Sequence, residues 1–571
     1  MAKIAKISGI CISGLLVGCM TSEPSAFDPL VMQQVERNRA ADVASRAKRP
    51  IPTTLESPYL PGPNGQAPTA PPAPTTGPAL ETPMTVRMPL QEIIHRAVAN
   101  NIDVKVAGYT PAIDESRVVE AEARFDPTVF NNFNFERRDK DAGIFASGNA
   151  KILTNATGLR QLLPSGGQAE LRYELGWNEP SVRNQNVFGV NQRTKDPQFW
   201  EGDLILEVTQ PLLRNFGNDI NHARINVNRN NQRISLLDFR KQLEDTLSQI
   251  EQTYWQLVTA ERVVRVNERL LQKTVDTADL LSKRIGQDVT RVQISQANAS
   301  VETRTALLIR NKAQVLNLSD RLKRLMNDPT IPVASGITVL PATPPIEEPI
   351  RFERKDQIDT AMDNRLELGQ QQLRIDTADI TLKVADNNLL PKLDLVGSVS
   401  TQGLDVDLHD MVDEQYRNHN FNFAMGLQFE IPIGNREARA IFRRAQLQRQ
   451  QALVQYSGLV QQISEEVIEA IREIDTTWDE MVATRKAVFA QEDALSAILQ
   501  REEGGEALTP TFVQLKLDTQ GSLAQAEAAA AEAVSNYNIA LSQLELRKGT
   551  LLRYNNVIME EENLPSGMGF R

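Results

Sequence analysis

The stretch GDLILEVTQPLLRNFGN, residues 202–218, joins two different hydrophobic patterns. Before Pro211, apolar and polar residues alternate, which is typical of a β-strand with one polar and one apolar side. From about Asn221 the sequence becomes polar, with apolar residues three and four apart, which predicts a helix continuing to about residue 284. Such a helix would span about 96 Å at 1.5 Å per residue. The stretch therefore predicts a strand that passes into a very long helix, with Pro211 ending strand pairing and Gly217 loosening the bend.

The same junction occurs again in FNFAMGLQFEIPIGNREA, residues 421–438, where an alternating run is followed by Pro432 and another long heptad-patterned segment. A proline also stands at the start of one predicted strand in each half of the chain, at Pro127 and Pro391. Matching segments lie about 264 residues apart before the strands and about 222 residues apart after them, which predicts two internal repeats. The first repeat carries an insertion, residues 138–200, in which LPSGGQ joins two strand-like runs as a hairpin turn.

Composition narrows the classes of function. The chain has 571 residues, 41% hydrophobic, a formal net charge of -11 and a mean hydropathy of -0.34. An acidic chain disfavours a nucleic-acid partner. We find no phosphate-binding glycine loop, nucleophile elbow or zinc-ligand spacing, so we expect no enzyme activity, cofactor or metal. The acidic, histidine-containing segment 403–420 lies between predicted strands and is interpreted as a polar external loop.

The amino terminus has the pattern of an export signal. Two lysines precede an apolar run that is too short to be a good membrane span, and Leu16-Val17-Gly18-Cys19 resembles a bacterial lipobox. We therefore expect a signal peptide over residues 1–18 and lipidation of Cys19. Residues 19–86 follow as a proline-rich, extended tether.

The remaining boundaries follow the repeats. The first repeat is predicted over residues 87–330 and the second over 356–555. A linker at 331–355 separates them, and 556–571 form a tail. Each repeat contains short helices, strands and a long helical hairpin.

Several segments together resemble the TolC-like family of outer-membrane efflux proteins, over about residues 88–555. They are LQEIIHRAVANN, the FDP turn, VTQPLLR, TYWQLV, FEIPIGN and two glycine-bearing turns between the long helices. The resemblance implies a mainly α fold in a homotrimer. Each subunit would give four strands to a twelve-stranded transmembrane β-barrel, and its coiled-coil helices would form a hollow α-barrel through the periplasm. It also implies a periplasmic adaptor protein and an inner-membrane pump as partners.

The resemblance also implies roles for particular residues. The two helical turns would contact the adaptor, through Arg284, Gly286, Asp288, Gly504, Gly505 and Thr509. Asp518 aligns with a ring of aspartates that narrows the periplasmic end, with Gln514 beside it. Leu515 stands where some members have a second aspartate, so a double ring is not reproduced. The second turn departs from the family because Glu502, Glu503 and Glu506 make it acidic.

The sequence thus predicts a passive outer-membrane exit duct that is lipid-anchored and projects into the periplasm. Two alternatives stay open. The same channel could serve type I protein secretion, or the chain could be a structural coiled-coil lipoprotein without a pore. Alternating strands argue against the second alternative.

Overall fold

The computed structural model describes residues 84–139, 149–180, 183–187, 190–194, 197–286, 289–417 and 420–557. Five of our expectations fall wholly or mainly outside this part. They concern the signal peptide, the lipidation of Cys19, the proline-rich tether, Asp288 and the tail 556–571.

Eleven α-helices are present in the described residues, together with a 3-10 helix at Ala123–Phe125. They are α1 Leu90–Asn100, α2 Ile102–Glu122, α3 Asn218–Asn221, α4 Ala223–Lys283, α5 Arg291–Met326, α6 Arg354–Asn364, α7 Leu366–Asn387, α8 Leu408–Tyr416, α9 Arg436–Glu503, α10 Pro510–Lys548 and α11 Leu551–Tyr554. The longest, α4 and α9, have 61 and 68 residues, so they extend about 90 and 100 Å at 1.5 Å per residue. The predicted long helix after Pro211 is therefore confirmed. None of the helices in the described ranges combines the length and apolar composition needed to cross a bilayer.

The described strands form one large and two small sheets. They are β1 Thr85–Met88, β2 Thr128–Asp139, β3 Asn149–Leu162, β4 Gln168–Pro180, β5 Arg183–Val187, β6 Val190–Thr194, β7 Phe199–Pro211, β8 Thr338–Pro341, β9 Lys392–Asp405 and β10 Phe421–Glu430. The large sheet is antiparallel, with the order β10-β9-β7-β4-β3-β2. The small sheets pair β1 with β8 and β5 with β6.

The large sheet corrects the strand number. The family resemblance implied four strands in each subunit, whereas the sheet has six. The two additional strands, β3 and β4, form a hairpin within the insertion 138–200 and lie between β2 and β7. They can occupy the middle of the sheet because both alternate apolar and polar residues with the same period as their neighbours.

One face of the large sheet is apolar and exposed. Residues opposite each other in the register share a face, and the register places Phe133, Leu171, Leu206, Val399 and Phe423 on the same one. Phe423 is 78% exposed. The other exposed apolar residues of this face are Val129, Phe135, Leu159, Leu204, Val208, Phe421, Met425, Leu427 and Phe429. Soluble monomers rarely expose a continuous apolar surface of this size, so this face marks a site of contact with lipid or protein.

Helix α8 corrects the interpretation of segment 403–420 as a plain polar loop. It lies against the apolar face through Met411, which is fully buried. A Cβ atom on Gly202 would lie 2.5 Å from the sulfur of Met411, so glycine allows the close approach. Gln415 also donates a hydrogen bond of 3.1 Å to the carbonyl oxygen of Thr401. Among the described residues, no His, Cys, Asp and Glu side chains are grouped to hold a metal ion.

The β1–β8 pair is fastened to α4 by Tyr254. This side chain is fully buried. Its hydroxyl accepts hydrogen bonds from the backbone nitrogens of Ala342, at 3.0 Å, and Thr343, at 2.7 Å. Thr85 and Val86, which we assigned to the tether, belong to β1. The amino-terminal strand is therefore part of the packed core around α4 and α5.

The segment predicted as a linker between repeats, 331–355, is also packed. It contains β8, and its later part runs along α10. The hydroxyl of Tyr537 donates to the carbonyl oxygen of Glu348 at 2.8 Å and accepts from the nitrogen of Ile350 at 3.2 Å. Asn538 holds Ile346 through two hydrogen bonds of 2.9 and 3.0 Å. This segment is thus ordered by side chains of the long helices.

Candidate functional site

Helices connect to four strands of the large sheet, and all four connections lie at the same end of the strands. Pro127 and Pro391 come directly before β2 and β9, and Pro211 is the last residue of β7. Pro432 follows β10 after one intervening residue. Because the strands are antiparallel, the starts of β2 and β9 and the ends of β7 and β10 lie at the same end of the sheet. A proline suits each strand end because it lacks the amide hydrogen that pairing would use.

The junction after β7 bends at Gly217. Its φ angle of 104° lies in the region that favours glycine. The nitrogen of Leu212 donates to the carbonyl oxygen of Leu393 at 2.8 Å, and the nitrogen of Asn215 donates to the side-chain oxygen of Asn387 at 2.7 Å. The bend therefore stays bonded to the neighbouring junction that precedes β9.

The junction after β10 uses a similar backbone geometry. Gly434 has a φ angle of 86° and Asn435 one of 38°. Glycine and asparagine adopt this left-handed region most readily. The side-chain nitrogen of Asn435 donates to the carbonyl oxygen of Leu389 at 3.1 Å. Both long helices thus start from a left-handed turn that is bonded to the end of α7 or the residues after it.

The turn between β3 and β4 is hydrogen-bonded to the junction that follows β7. The nitrogen of Gly217 donates to the carbonyl oxygen of Ser165 at 3.0 Å, and the Ser165 hydroxyl donates to the side-chain oxygen of Gln210 at 2.8 Å. Gly166 has a φ angle of 91°, and a Cβ atom there would lie 2.2 Å from the carbonyl oxygen of Asn215. The additional hairpin therefore ends at the level of the strand–helix junctions and is anchored there.

The polar face of the sheet carries a row of ion pairs across β3, β4 and β7. Arg172 lies 2.7 Å from Glu174 and 3.1 Å from both Glu170 and Glu207. Arg160 lies 2.7 Å from Glu170. Because these side chains share one face, they give the sheet a charged, hydrogen-bonded surface opposite its apolar one.

The first helical turn, between α4 and α5, contains Arg284 at the end of α4 and Gly286 with a φ angle of 81°. At the start of α5, the nitrogen of Thr290 donates to the side-chain oxygen of Gln293 at 2.6 Å. Gln293 is buried, and its nitrogen donates to the carbonyl oxygen of Leu508 at 2.5 Å. Gln293 therefore joins the two turns. We did not identify it in the sequence, although Thr-x-x-Gln is the spacing of a capping box.

The second helical turn, between α9 and α10, is built from Gly504 and Gly505. Gly505 has a φ angle of 85°, and Gly504 has an ordinary negative φ of -68°. Thr509 starts α10, and its hydroxyl accepts a hydrogen bond of 3.3 Å from the nitrogen of Phe512. The positive φ permits the reversal, and the threonine satisfies a free amide at the first turn of the helix.

The carboxylates of this second turn are largely paired. Arg501 contacts both oxygens of Glu506, at 2.5 and 2.7 Å, and this hydrogen bonding holds the pKa of the Glu506 carboxyl below its ordinary value. Lys516 contacts both oxygens of Glu502, at 2.6 and 2.9 Å. The turn is therefore less acidic in effect than its sequence suggests, because two of its three glutamates bind a cationic side chain.

Asp518 and Gln514 lie one turn apart on an exposed stripe of α10. The side-chain nitrogen of Gln514 donates to a carboxylate oxygen of Asp518 at 2.9 Å. Leu515 lies on the same side of the helix and is 45% exposed. The three residues therefore face away from the helices that this chain packs against α10.

Arg304 joins α5 to two other helices near the turns. Its guanidinium donates to the Thr274 hydroxyl on α4, and to the carbonyl oxygen of Leu517 and the side-chain oxygen of Gln520 on α10, at 2.6 and 3.4 Å. Burial lowers the pKa of Arg304, and the nearby charge of Asp518 acts in the opposite direction. We did not identify Arg304 from the sequence, because its partner Leu517 is 213 residues away along the chain.

Part of the chain matches a known protein family. Residues 357–550 match the profile of the family described as Outer membrane efflux protein. Comparison with curated proteins gives no match. The family profile covers α7, β9, α8, β10, α9 and α10, and it includes most of α6.

Solved structures match most of the chain. A membrane protein from Pseudomonas aeruginosa has a TM-score of 0.58 and 17% identity, covering 81% of this chain and 93% of its own. VceC, an outer membrane protein of Vibrio cholerae, has a TM-score of 0.56 and 17% identity, covering 81% and 96%. CmeC, an outer membrane channel of Campylobacter jejuni, has a TM-score of 0.56 and 15% identity, covering 81% and 86%. The chain therefore contains an Outer membrane efflux protein domain at residues 357–550, and its fold is similar to those of solved outer membrane proteins.

Proposed function

We propose that the chain forms a passive exit duct in a bacterial outer membrane. The main support is the large sheet, whose apolar face is exposed. In the described part of the chain, its edge strands β2 and β10 each pair on one side only. Lipid can cover such a face, and neighbouring copies can close such edges. The attached helices, about 90 to 100 Å long, would continue the duct through the periplasm.

Aromatic side chains support the membrane assignment of the sheet. Trp177 and Trp200 lie opposite each other on the apolar face, with ring centroids 6.5 Å apart. They stand near the end of the sheet that is remote from the helices. Tryptophan is enriched where a membrane protein meets the interface between lipid and water. This end of the sheet would therefore lie at the outer surface.

The assembly that we propose is a homotrimer. Apolar residues Ile102, Val106, Tyr109 and Ile113 are spaced four, three and four residues apart on α2 and are more than half exposed. This spacing makes a coiled-coil stripe that no helix of the chain covers in the described residues. A second copy would cover it. The family further suggests an adaptor protein at the helical turns and an inner-membrane pump that supplies the energy, so the duct itself needs no chemistry.

The proposal includes the amino-terminal anchor. Residues 1–18 would be removed as a signal peptide, and lipid on Cys19 would anchor the chain in the outer membrane through a tether that ends before β1. We also keep the proposal of two repeats, 87–330 and 356–555, because the order of two short helices, strands and a long helical hairpin recurs. The type I secretion alternative shares this architecture and differs only in cargo. The pore-free alternative leaves the exposed apolar face of the sheet unexplained.

The first experiment measures ion current. Purified trimers in planar bilayers are expected to conduct, and three copies of Asp518 at the narrow end should favour cations. Asp518→Asn is expected to lower the ratio of cation to anion permeability severalfold. Asp493→Asn, an exposed aspartate on α9, serves as the matched control.

Two results of this experiment would contradict us. If the wild-type trimer carried no current under any condition, the channel proposal would be wrong. If current flowed but Asp518→Asn and Asp493→Asn had the same ion selectivity, Asp518 would not line the constriction.

Charge reversal at the first turn tests the adaptor contact. Arg284→Glu is expected to weaken binding of the cognate adaptor at least tenfold, because a cation at a protein interface would become an anion facing the same partner groups. Binding is measured with purified adaptor and the detergent-solubilised trimer. Arg310→Glu, on an exposed part of α5, controls for net charge, and equal affinities of both variants and the wild type would refute the assignment.

A further inference from the structure

We propose that three copies of this chain close a barrel of eighteen strands, with the β3–β4 hairpin as part of its wall. This inference rests on the proposed function as a trimeric duct. One chain has a six-stranded sheet, so three copies would provide eighteen strands. The family resemblance implied four strands in each chain. The consequence is an outer-membrane pore wide enough for solutes that a twelve-stranded pore would exclude.

The first support is the continuous pairing of the hairpin on both sides. β3 pairs with β2 from Thr128 opposite Arg160 to Asp139 opposite Asn149. β4 pairs with β7 from Gln168 opposite Thr209 to Asn178 opposite Phe199. The hairpin therefore separates β2 from β7 over nearly their full length. β2 and β7 cannot pair with each other unless the hairpin leaves the sheet.

The second support is that β3 and β4 have an apolar and a polar face on the same sides as the neighbouring strands. Leu159 of β3 and Leu171 of β4 lie on the apolar face and are 42% and 45% exposed. Arg160 and Arg172 lie on the opposite face, within its ion pairs. A strand in a transmembrane barrel needs this alternation of lipid-facing and lumen-facing residues. A hairpin that covered the mouth of the pore would not need apolar and polar residues that alternate in register with those of β2 and β7.

The third support is the anchored turn. Ser165 accepts a hydrogen bond from Gly217 and donates one to Gln210, so the turn is held at the strand–helix junction. The left-handed Gly166 lies so close to Asn215 that any side chain would clash. The hairpin therefore spans the same height as the other strands and ends where the helices begin.

The width of the barrel follows from the strand number. Barrel diameter grows roughly linearly with the number of strands, so eighteen strands give a bore about 1.5 times as wide as twelve. Barrels of about this size leave an aqueous channel. The added wall is polar toward the lumen, and Arg160 and Arg172 are paired with glutamates, so it suits large hydrated solutes more than a particular ion.

Deletion of residues 140–198 tests the width. It joins the outer ends of β2 and β7 and leaves four strands in each chain. The probe is a series of polyethylene glycols of graded size, added on the outer side of trimers in planar bilayers. The largest polymer that enters the barrel should fall in radius by about one third. Deletion of residues 183–194, which removes only the β5–β6 hairpin, should leave this limit unchanged.

Equal size limits for the wild type and the 140–198 deletion would overturn the inference, because the hairpin would then not widen the bore. A cysteine scan keeps the inference testable if that deletion does not assemble. The chain's own cysteines are Cys11 and Cys19, so no native thiol in the sheet would react with the labelling reagent. In lipid vesicles, a water-soluble thiol reagent should label Ala156→Cys and Glu174→Cys on the polar face at least tenfold faster than Leu159→Cys and Leu171→Cys.

Equal labelling of all four positions would also overturn the inference, since the hairpin would then lie outside the membrane. This scan does not depend on ion current. A trimer without any current but with the alternating labelling would therefore count against the duct and not against the hairpin as a membrane wall.

Discussion

In the trimeric duct that we propose, replacing Arg304 with alanine is expected to raise the conductance about tenfold. Arg304 connects α5 with Thr274 on α4 and with Leu517 and Gln520 on α10. Hydrogen bonds from a charged donor contribute about 1.5 to 3 kcal/mol each. Loss of only about 1.4 kcal/mol from the closed arrangement raises the open population tenfold. If the duct opens by separation of its helical ends, this variant should be open more often.

Two further variants make the test specific. Arg304→Lys keeps the charge but cannot reach three partners in the same geometry, so its conductance should lie between those of the wild type and Arg304→Ala. Arg310→Ala removes an exposed arginine from the same helix and should behave as the wild type. Equal conductance of Arg304→Ala and Arg310→Ala would show that Arg304 fastens the helices without controlling the opening.

Replacing Glu244 with glutamine is expected to make the protein more stable above neutral pH. Glu244 is only 6% exposed on α4. Burial, followed by the nearby charge of Glu367, raises the pKa of Glu244 to about 7, with Arg365 acting in the opposite direction. The unfolded chain has the lower pKa, so stability from the protonated form is fully present below about pH 4.5 and is lost as pH rises through 7.

The size of this effect follows from the shift of the pKa. Each unit is equivalent to about 1.4 kcal/mol, so the wild type should be less stable than Glu244→Gln by about 3 kcal/mol at pH 8. At pH 4.5 the two should be nearly equal, because both side chains are neutral. Burial also raises the pKa values of Asp245 and Glu251. These two remain in both proteins, so the difference between the proteins isolates Glu244.

Thermal unfolding of the detergent-solubilised protein, followed at several pH values and one scan rate, measures this difference. Glu302→Gln, an exposed position on α5, is the control and should follow the wild type throughout. If the unfolding temperatures of Glu244→Gln and the wild type changed in parallel between pH 5 and 8, ionisation of Glu244 would not destabilise the fold.

The long helices and the strand ends were predictable because their signals are local. A proline that ends an alternating run, followed by heptads, predicts the passage from β7 to α4 without knowledge of any partner. The register of the sheet was not predictable in the same way. The runs that became β3 and β4 were recognised as a hairpin, but their place between β2 and β7 depends on pairing with residues far along the chain.

The candidate site shows the same division. The glycines of the two helical turns and Thr509 follow from the rules of reversal and capping. The pairing of Glu502 with Lys516 and of Glu506 with Arg501 depends on how α9 and α10 meet, which the sequence alone did not define. Arg304 belongs to the same class, since its three partners come from two other helices.

The pairing of β1 with β8 determines when the fold can be completed. Arg87 on β1 donates a hydrogen bond to the carbonyl oxygen of Pro341, 254 residues later in the sequence. In a chain made from its amino terminus, β1 therefore stays unpaired while 254 further residues, nearly half of the 571, are synthesised. Contacts so distant in sequence form slowly, because a long loop must close before they contribute. The first strand of the chain is thus among the last parts to reach its place, and until then it needs protection from other partners.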